Sequence, residues 1–317
     1  MGYPRTFTVD PEQPGFYHCM SRCVRRAWLC GEDPISGRSF DHRREWIEQR
    51  LLMLAESFAV GLYAWAVMSN HTHVVLRIDP KLPESWSDED VARRWARLHR
   101  TLHVVQDSHV EQRVHRLLGQ PDRITELRAR LGSLSWFMRF LNECIAREAN
   151  AEDRCTGRFW EGRFKSQALL DEAAVTACMA YVDLNPIRAG ITDELAGSDY
   201  TTIQRRLRSL TDDPAAGDAP LEPLAGVRGP AASSLTVRAY IDLADCTGRI
   251  TRSDKRGAIS EEAARALDAI RGSPDWWVEC VGRIEEVFAS SVGMPRTLKQ
   301  RALDRGLRCL RGVGAPV

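Results

Sequence analysis

The residues of this 317-residue chain best suited by type and spacing to do chemistry are His71 and His73, two apart in the run Met68-Ser69-Asn70-His71-Thr72-His73-Val74-Val75-Leu76-Arg77-Ile78, and Tyr181, four residues ahead of Asn185. On a strand a spacing of two sends both imidazoles to one face. Thr72, Val74, Leu76 and Ile78 then form an apolar face that a core accepts, with His71, His73, Val75 and Arg77 on the other. Two neutral imidazoles converging on one face are half of a metal site. A lone H-x-H is more often a pair of ordinary strand histidines. A tyrosine in an alanine-rich helix is more often a core residue with its hydroxyl at the surface. The combination carries more than either part.

The elements that must position these residues are legible around them. Leu62-Tyr63-Ala64-Trp65-Ala66-Val67-Met68 is rich in β-formers, and Ser69-Asn70 supplies a tight turn, so His71 sits at the top of a hairpin. Phe16 to Val24 is a further strand, and Arg43 to Phe58 carries Trp46, Ile47, Leu51, Leu54, Ala55 and Phe58 at helical spacing. The order β-α-β-β predicts an α+β fold, an antiparallel sheet with helices packed on one side. Downstream, Asp171 is a natural N-cap and Glu172 suits a first turn. Pro186 disfavours helical geometry at Asn185, so the helix should end there with Tyr181 and Asn185 near one face of its last turn.

Asn70-His71-Thr72-His73 before an apolar strand, Gly157-Arg158-Phe159-Trp160-Glu161-Gly162-Arg163-Phe164-Lys165-Ser166, and Tyr181-Val182-Asp183-Leu184-Asn185-Pro186-Ile187-Arg188-Ala189, in that order, resemble the HUH tyrosine transposases that act on single-stranded DNA, above all the REP-associated tyrosine transposase branch. The resemblance covers roughly residues 14 to 195. It implies a ferredoxin-like (RRM-like) HUH core, His71 and His73 as metal ligands, Asn185 as the third protein ligand, and Tyr181 as nucleophile. Some members of that family carry Gln at the position of Asn185. The implied partner is single-stranded DNA with hairpin-forming ends, and a homodimer in which Tyr181 serves its own subunit or the other is compatible with it. An ion held by two imidazoles and an amide oxygen keeps its charge and its open positions for phosphate oxygens. Mg²⁺ or Mn²⁺ is the expected ion, with Zn²⁺ compatible with the histidines. A tyrosine hydroxyl in line on the phosphorus would conserve the bond as a phosphotyrosine for rejoining.

Composition is compatible with this reading without selecting it. The chain is 44% hydrophobic and 27% charged with a formal net charge of +1, so any electrostatic footprint for nucleic acid must be local. Arg158, Arg163 and Lys165 interleaved with Phe159, Trp160 and Phe164 are the best such patch, since single strands are held by cations on phosphates and aromatic faces under bases. The plain alternative is a strand with core aromatics and solvated cations. Nine cysteines, odd in number and without C-x-x-C pairing, together with the absence of an apolar leader or a membrane-length stretch, point to a reduced cytoplasmic chain. Cys19, Cys23 and Cys30 lack the second pair a zinc knuckle needs.

The expected organisation is a catalytic domain over 1–205 with a helical insertion at about 85–130, a Pro- and Gly-rich linker over 206–234, and a helical region over 235–317. In the insertion, Glu89 to Gln106 reads as an amphipathic helix with a basic side. Deleting everything beyond about Leu210 is expected to leave a folded catalytic core. Between Met294 and Arg311 six basic residues, among them Arg296, Lys299 and Arg301, face one acidic residue, Asp304; this segment is a candidate contact for duplex DNA or merely a solubilising face. The first rival to a transposase is a non-catalytic nucleic-acid-binding protein on the same sheet, which binds DNA without a tyrosyl adduct. The second is an H-x-H metal-dependent hydrolase, indifferent to Tyr181.

Overall fold

A computed structural model describes residues 5–24, 28–33, 37–98, 107–229, 232–250 and 260–312. Four strands make the centre of a mixed α+β fold: β1 Gly15–Arg22, β2 Val60–Val67, β3 His71–Ile78 and β4 Lys165–Leu169. They lie side by side in the order β2-β3-β1-β4, every neighbouring pair antiparallel. The hairpin between β2 and β3 closes where expected, Met68 N–H donating to the His71 carbonyl across Ser69-Asn70 at 2.9 Å.

One face of this sheet packs on the helices His42–Ser57 and Leu134–Glu152. Their apolar positions recur at helical spacing: Ile47, Leu51, Leu54 and Ala55 in the first, and Phe137, Met138, Leu141, Ile145 and Ala149 in the second. They close over Trp65, Val74 and Leu76 of the sheet. Each such side chain removed from water contributes about 1.5–3 kcal/mol before entropy is counted. The insertion Asp88–Arg97, Asp107–Leu118 and Pro121–Leu131 extends the same core through Val91, Trp95, Ile124 and Leu127. The expected continuation of its first helix through Arg100, Leu102, Val105 and Gln106 lies outside the described residues.

The expectation of helices on one side only does not hold. The histidine face is covered too, by the tyrosine helix Glu172–Asp183 and by helices from the C-terminal third, Val237–Ile250, Glu261–Ala269 and Pro274–Val287. Val75 of β3 belongs to this second core together with Val175, Met179, Val182, Trp277, Val281 and Ile284. A β-strand with apolar residues at both parities, as Val74-Val75-Leu76 shows, is a strand buried on both faces.

The connection expected to be a loose linker over 206–234 is instead structured where it is described. Thr202–Asp212 is a helix, and Ala225–Gly226 pairs with Gly61 and Leu62 as an edge strand of the main sheet. Gly226 has φ +84°, and a Cβ there would stand 2.0 Å from the Val60 carbonyl oxygen, so the edge contact is built for glycine. Further on, Ser291–Val292 pairs in parallel with β4 and closes the other edge. Both outer strands of the six-stranded sheet therefore come from beyond residue 220. At its described positions proline and glycine turn a chain that is held by helix and strand pairing.

Candidate active site on the histidine face

Strand register decides which side chains share the histidine face. Directly paired residues of antiparallel strands point to the same side. Arg22 pairs with His71; Lys165, Met20, His73 and Ala66 form the next row; Gln167, His18, Val75 and Ala64 form the row after that. Two histidines two apart on β3 thus meet a third, His18, from β1. His18 is fully buried and His73 nearly so, while His71 is half-buried near the hairpin turn.

The tyrosine helix lies over these rows. Asp171 caps it as expected, accepting from the Ala174 N–H at 2.8 Å. Every residue from Ala173 to Asp183 is buried, and Asp183 ties the helix to its surroundings by accepting from Tyr240 Oη at 2.5 Å and from the Ile203 N–H at 3.0 Å. The helix ends at Asp183, and Asn185-Pro186 opens a new short helix through Arg188 rather than trailing away as extended chain. A proline lacks the N–H that the first turn does not use, so Pro186 suits this start. The ring of Tyr181 stands 5.7 Å from that of His73 and 5.9 Å from that of His18, both edge-on. Arg188, one turn past Asn185, lays its guanidinium 3.8 Å over the Tyr181 ring and donates to the Val281 carbonyl at 2.9 Å.

Sequence reasoning missed three members of the site. Tyr181 Oη donates to Glu285 Oε1 at 2.8 Å, and the same oxygen is 3.8 Å from His73 Nε2. Glu285 comes from the helix Pro274–Val287, where it is one of three glutamates between 279 and 286 and looks like part of a solvated face. His18 and Gln167 are the others. His18 stood in the expected first strand, and only its pairing opposite Val75 shows that it faces the H-x-H pair.

Electrostatics keep the imidazoles neutral. Burial holds His71 down at about 4, helped by the Arg22 and Arg188 charges, and burial lowers His18 and, further, His73. Burial and the Glu285 carboxylate raise Tyr181, so its hydroxyl keeps its proton at rest. Histidines that refuse protons in the folded chain and accept them near pH 6.5 when unfolded make stability depend on pH. Between pH 6.5 and about 4 the unfolded state binds more protons, so their contribution is full above 6.5 and is lost as pH falls. Asp183, raised by burial to about 7, works the other way: the folded state binds the extra proton, and its contribution fades as pH rises through 7. With three histidines against one carboxyl, thermal unfolding is expected at lower temperature at pH 5 than at pH 7, and the drop should be smaller in His71→Ala; equal drops in both proteins would discount the histidines.

Asn185 is buried, and its amide has no hydrogen-bond partner among the described residues. Of the expected nucleic-acid contacts, Lys165 lies in the row of His73, two strands away, about 10 Å. Arg158 and Arg163 are exposed on the segment that runs beside Arg22 and Val24, with Val24 N–H donating to Phe159 O and Glu161 N–H to Arg22 O. Trp160 is different from expectation: it is buried, edge-on to Phe159 at 5.0 Å, with its indole N–H donated to the Asn142 carbonyl at 2.8 Å. Its ring is core, because the segment pairs at Cys23 and turns the aromatic inward. Arg296, Lys299 and Arg301 are not brought to the site. Their helix, Pro295–Asp304, docks on Asp171 through Met294 N and Thr297 Oγ1, at the far end of the tyrosine helix, about 15 Å from Tyr181. Cys19, Cys23 and Cys30 are buried thiols outside any disulfide, with Cys30 pushed up to about 12 by burial.

Among the described residues no three His, Cys, Asp or Glu side chains form a ready cation cage, and no helix is long and apolar enough to cross a membrane. The buried Nε2 of His73 nevertheless has no hydrogen-bond partner and faces a carboxylate oxygen. By donor type, two neutral imidazoles and an amide oxygen suit a cation.

What the fold and site define is a split β-α-β sheet that gathers three histidines, a tyrosine and an arginine on one covered face. No protein-family profile and no curated protein matches the chain. Among solved structures, that of a REP-associated tyrosine transposase bound to a REP hairpin aligns with it at a TM-score of 0.41 and 14% identity, over 72% of this chain and 93% of the other. A likeness that loose carries no functional argument, and the chemistry must be read from the site.

Proposed function

We propose that the protein is a metal-dependent transposase that cleaves and rejoins single-stranded DNA through a 5′-phosphotyrosine on Tyr181. The observation that carries this reading is the Tyr181 ring held edge-on to His73 beneath the Arg188 guanidinium, with the Tyr181 hydroxyl and the unpartnered Nε2 of His73 both facing Glu285 Oε1. In the forward step Tyr181 Oη bonds to phosphorus as the bond from phosphorus to the 3′-oxygen breaks. Glu285 Oε1, already 2.8 Å from the hydroxyl, is in place to take its proton. Arg188 holds the ring face and, with Arg22, sets a positive field for the phosphate. A Mg²⁺ or Mn²⁺ ion on His71, His73 and the Asn185 amide would supply Lewis-acid charge to the phosphate and the departing oxygen. Return of the 3′-oxygen, with the proton moving back to Tyr181, rejoins the strand. Arg158, Arg163 and Lys165 offer phosphate contacts along the sheet end, while Arg296, Lys299 and Arg301 are far enough away to meet only a longer, hairpin-bearing substrate.

The test is incubation with end-labelled single strands bearing hairpins and Mg²⁺ or Mn²⁺, followed by denaturing electrophoresis for a protein-linked band. Retardation of DNA without such a band would favour a non-catalytic DNA-binding protein, and turnover of small phosphodiesters without a band would favour a hydrolase. Cleavage is further expected to be lost in His71→Ala and His73→Ala, and to need roughly tenfold more Mn²⁺ in Asn185→Ala, since one amide oxygen contributes less than an imidazole. An unchanged Mn²⁺ response in all three variants would show that the ion is bound elsewhere.

A further inference from the structure

The hydrogen bonds behind His73 can be followed atom by atom. Gln167 Nε2 lies 3.3 Å from the Phe288 carbonyl oxygen and 3.2 Å from that of Ala289, two groups that only accept, so this end of the amide is the donor. Its Oε1 therefore faces His18 Nδ1 at 3.0 Å, and an amide oxygen can only accept. His18 Nδ1 carries the proton. In a neutral ring the other nitrogen then holds the lone pair, and His18 Nε2 is 2.9 Å from His73 Nδ1. His73 Nδ1 must donate, which leaves the lone pair of His73 on Nε2, the buried atom without a hydrogen-bond partner beside Glu285. His71 reaches the same tautomer locally, its Nδ1 donating to Asn70 Oδ1 at 2.5 Å.

We propose that Gln167 and His18 are positioning residues, a relay anchored on the Phe288 and Ala289 carbonyls that fixes His73 as the Nδ1–H tautomer and aims its Nε2 lone pair at the site. A ligating histidine whose second nitrogen is held by a fixed partner binds metal better, because the ring needs neither to turn nor to exchange its proton. The relay has an unusual length for that task. It crosses three strands' worth of side chains and ends on the backbone just after the helix that carries Glu285, so the C-terminal segment sets both the histidine behind the site and the carboxylate in front of the tyrosine. Burial lowers His18 and His73, which keeps both rings in the neutral form that a one-way chain of donors requires.

The inference deepens the metal-site reading above and rests on it only for the metal arm of its test. The first arm is nitrogen-15 NMR of the full-length, metal-free protein labelled at histidine, near pH 7.5. Wild-type His73 is expected to show a protonated Nδ1 and an unprotonated Nε2. His18→Phe removes the acceptor and should yield a mixture of tautomers, as should Gln167→Leu, which frees His18 to reverse. His18→Gln can present an amide oxygen where His18 Nε2 stood, and should restore the wild-type signature. The second arm is Mn²⁺ affinity by calorimetry, expected to fall about 10- to 100-fold in His18→Phe and to recover in His18→Gln. A wild-type His73 protonated at Nε2 overturns the relay without any variant, as does a His18→Phe protein whose His73 signature and Mn²⁺ affinity are unchanged. The expected tautomer in a wild-type protein that binds no Mn²⁺ would leave the relay standing and remove the metal-site reading instead.

Discussion

Tyr181→Phe is expected to abolish the protein-linked DNA band and strand cleavage while leaving DNA affinity within about twofold of the parent. Phenylalanine keeps the ring that Arg188 covers at 3.8 Å and that packs edge-on against His18 and His73, and it removes only the oxygen bonded to Glu285. The loss should be of at least three or four orders of magnitude, because nucleophilic catalysis has no partial substitute when the attacking atom is absent. The measurement is denaturing electrophoresis of labelled single strands beside a retardation titration of the same strands. Equal adduct yield from the variant would take the nucleophile's role from Tyr181. Parallel loss of binding and of cooperative unfolding would show that the hydroxyl serves the fold. Glu285→Gln separates the two contacts: it keeps a hydrogen bond to the tyrosine but cannot take its proton, so cleavage is expected to fall by roughly 10²- to 10⁴-fold with affinity kept.

Local pattern made the front of the site legible. The H-x-H pair announces itself because strand geometry has a period of two, and the cap at Asp171 because a helix start needs an acceptor for its free N–H groups. The hairpin at Ser69-Asn70 and the helix His42–Ser57 followed from the same local rules. His18, Gln167 and Glu285 were invisible for a common reason: each reaches the site across a sequence separation that no periodicity encodes. His18 lies 55 residues from His73 and 149 from Gln167, and Glu285 lies 104 from Tyr181. The second core was legible in principle. Apolar residues at both parities of β2 and β3 require cover on two faces, and the tyrosine helix together with helices of the C-terminal third provides the second cover. An aromatic beside cations reads alike for a stacking platform and for a core strand, and at Trp160 burial and the Asn142 carbonyl at its indole decide for the core.

Cutting the chain after Leu210 is expected to produce no folded core, contrary to what composition alone suggests. The cut removes both outer strands of the sheet, Ala225–Gly226 from the side of β2 and Ser291–Val292 from the side of β4. It strips the histidine face of Tyr240, Trp277, Val281, Ile284 and Phe288, each at most 1% exposed. At about 1.5–3 kcal/mol apiece these five side chains represent on the order of 10 kcal/mol, which is the whole stability of an ordinary domain. It also leaves Asp183 buried without Tyr240, and Gln167 without its two carbonyl acceptors. The truncated protein should be insoluble, or compact without a cooperative thermal transition, and should yield no adduct. A point change tests the same contacts more gently: Trp277→Ala opens a cavity against the tyrosine helix and breaks the bond from its indole to Thr247 Oγ1, and should cost about 3–5 kcal/mol in denaturant unfolding. A soluble 1–210 fragment that unfolds cooperatively and still forms the adduct would restore the separate catalytic domain and reduce the C-terminal third to an appendage. Both outcomes are read from one solubility, unfolding and adduct series, and the buried tryptophans, the two edge strands and the Gln167 contacts all favour loss.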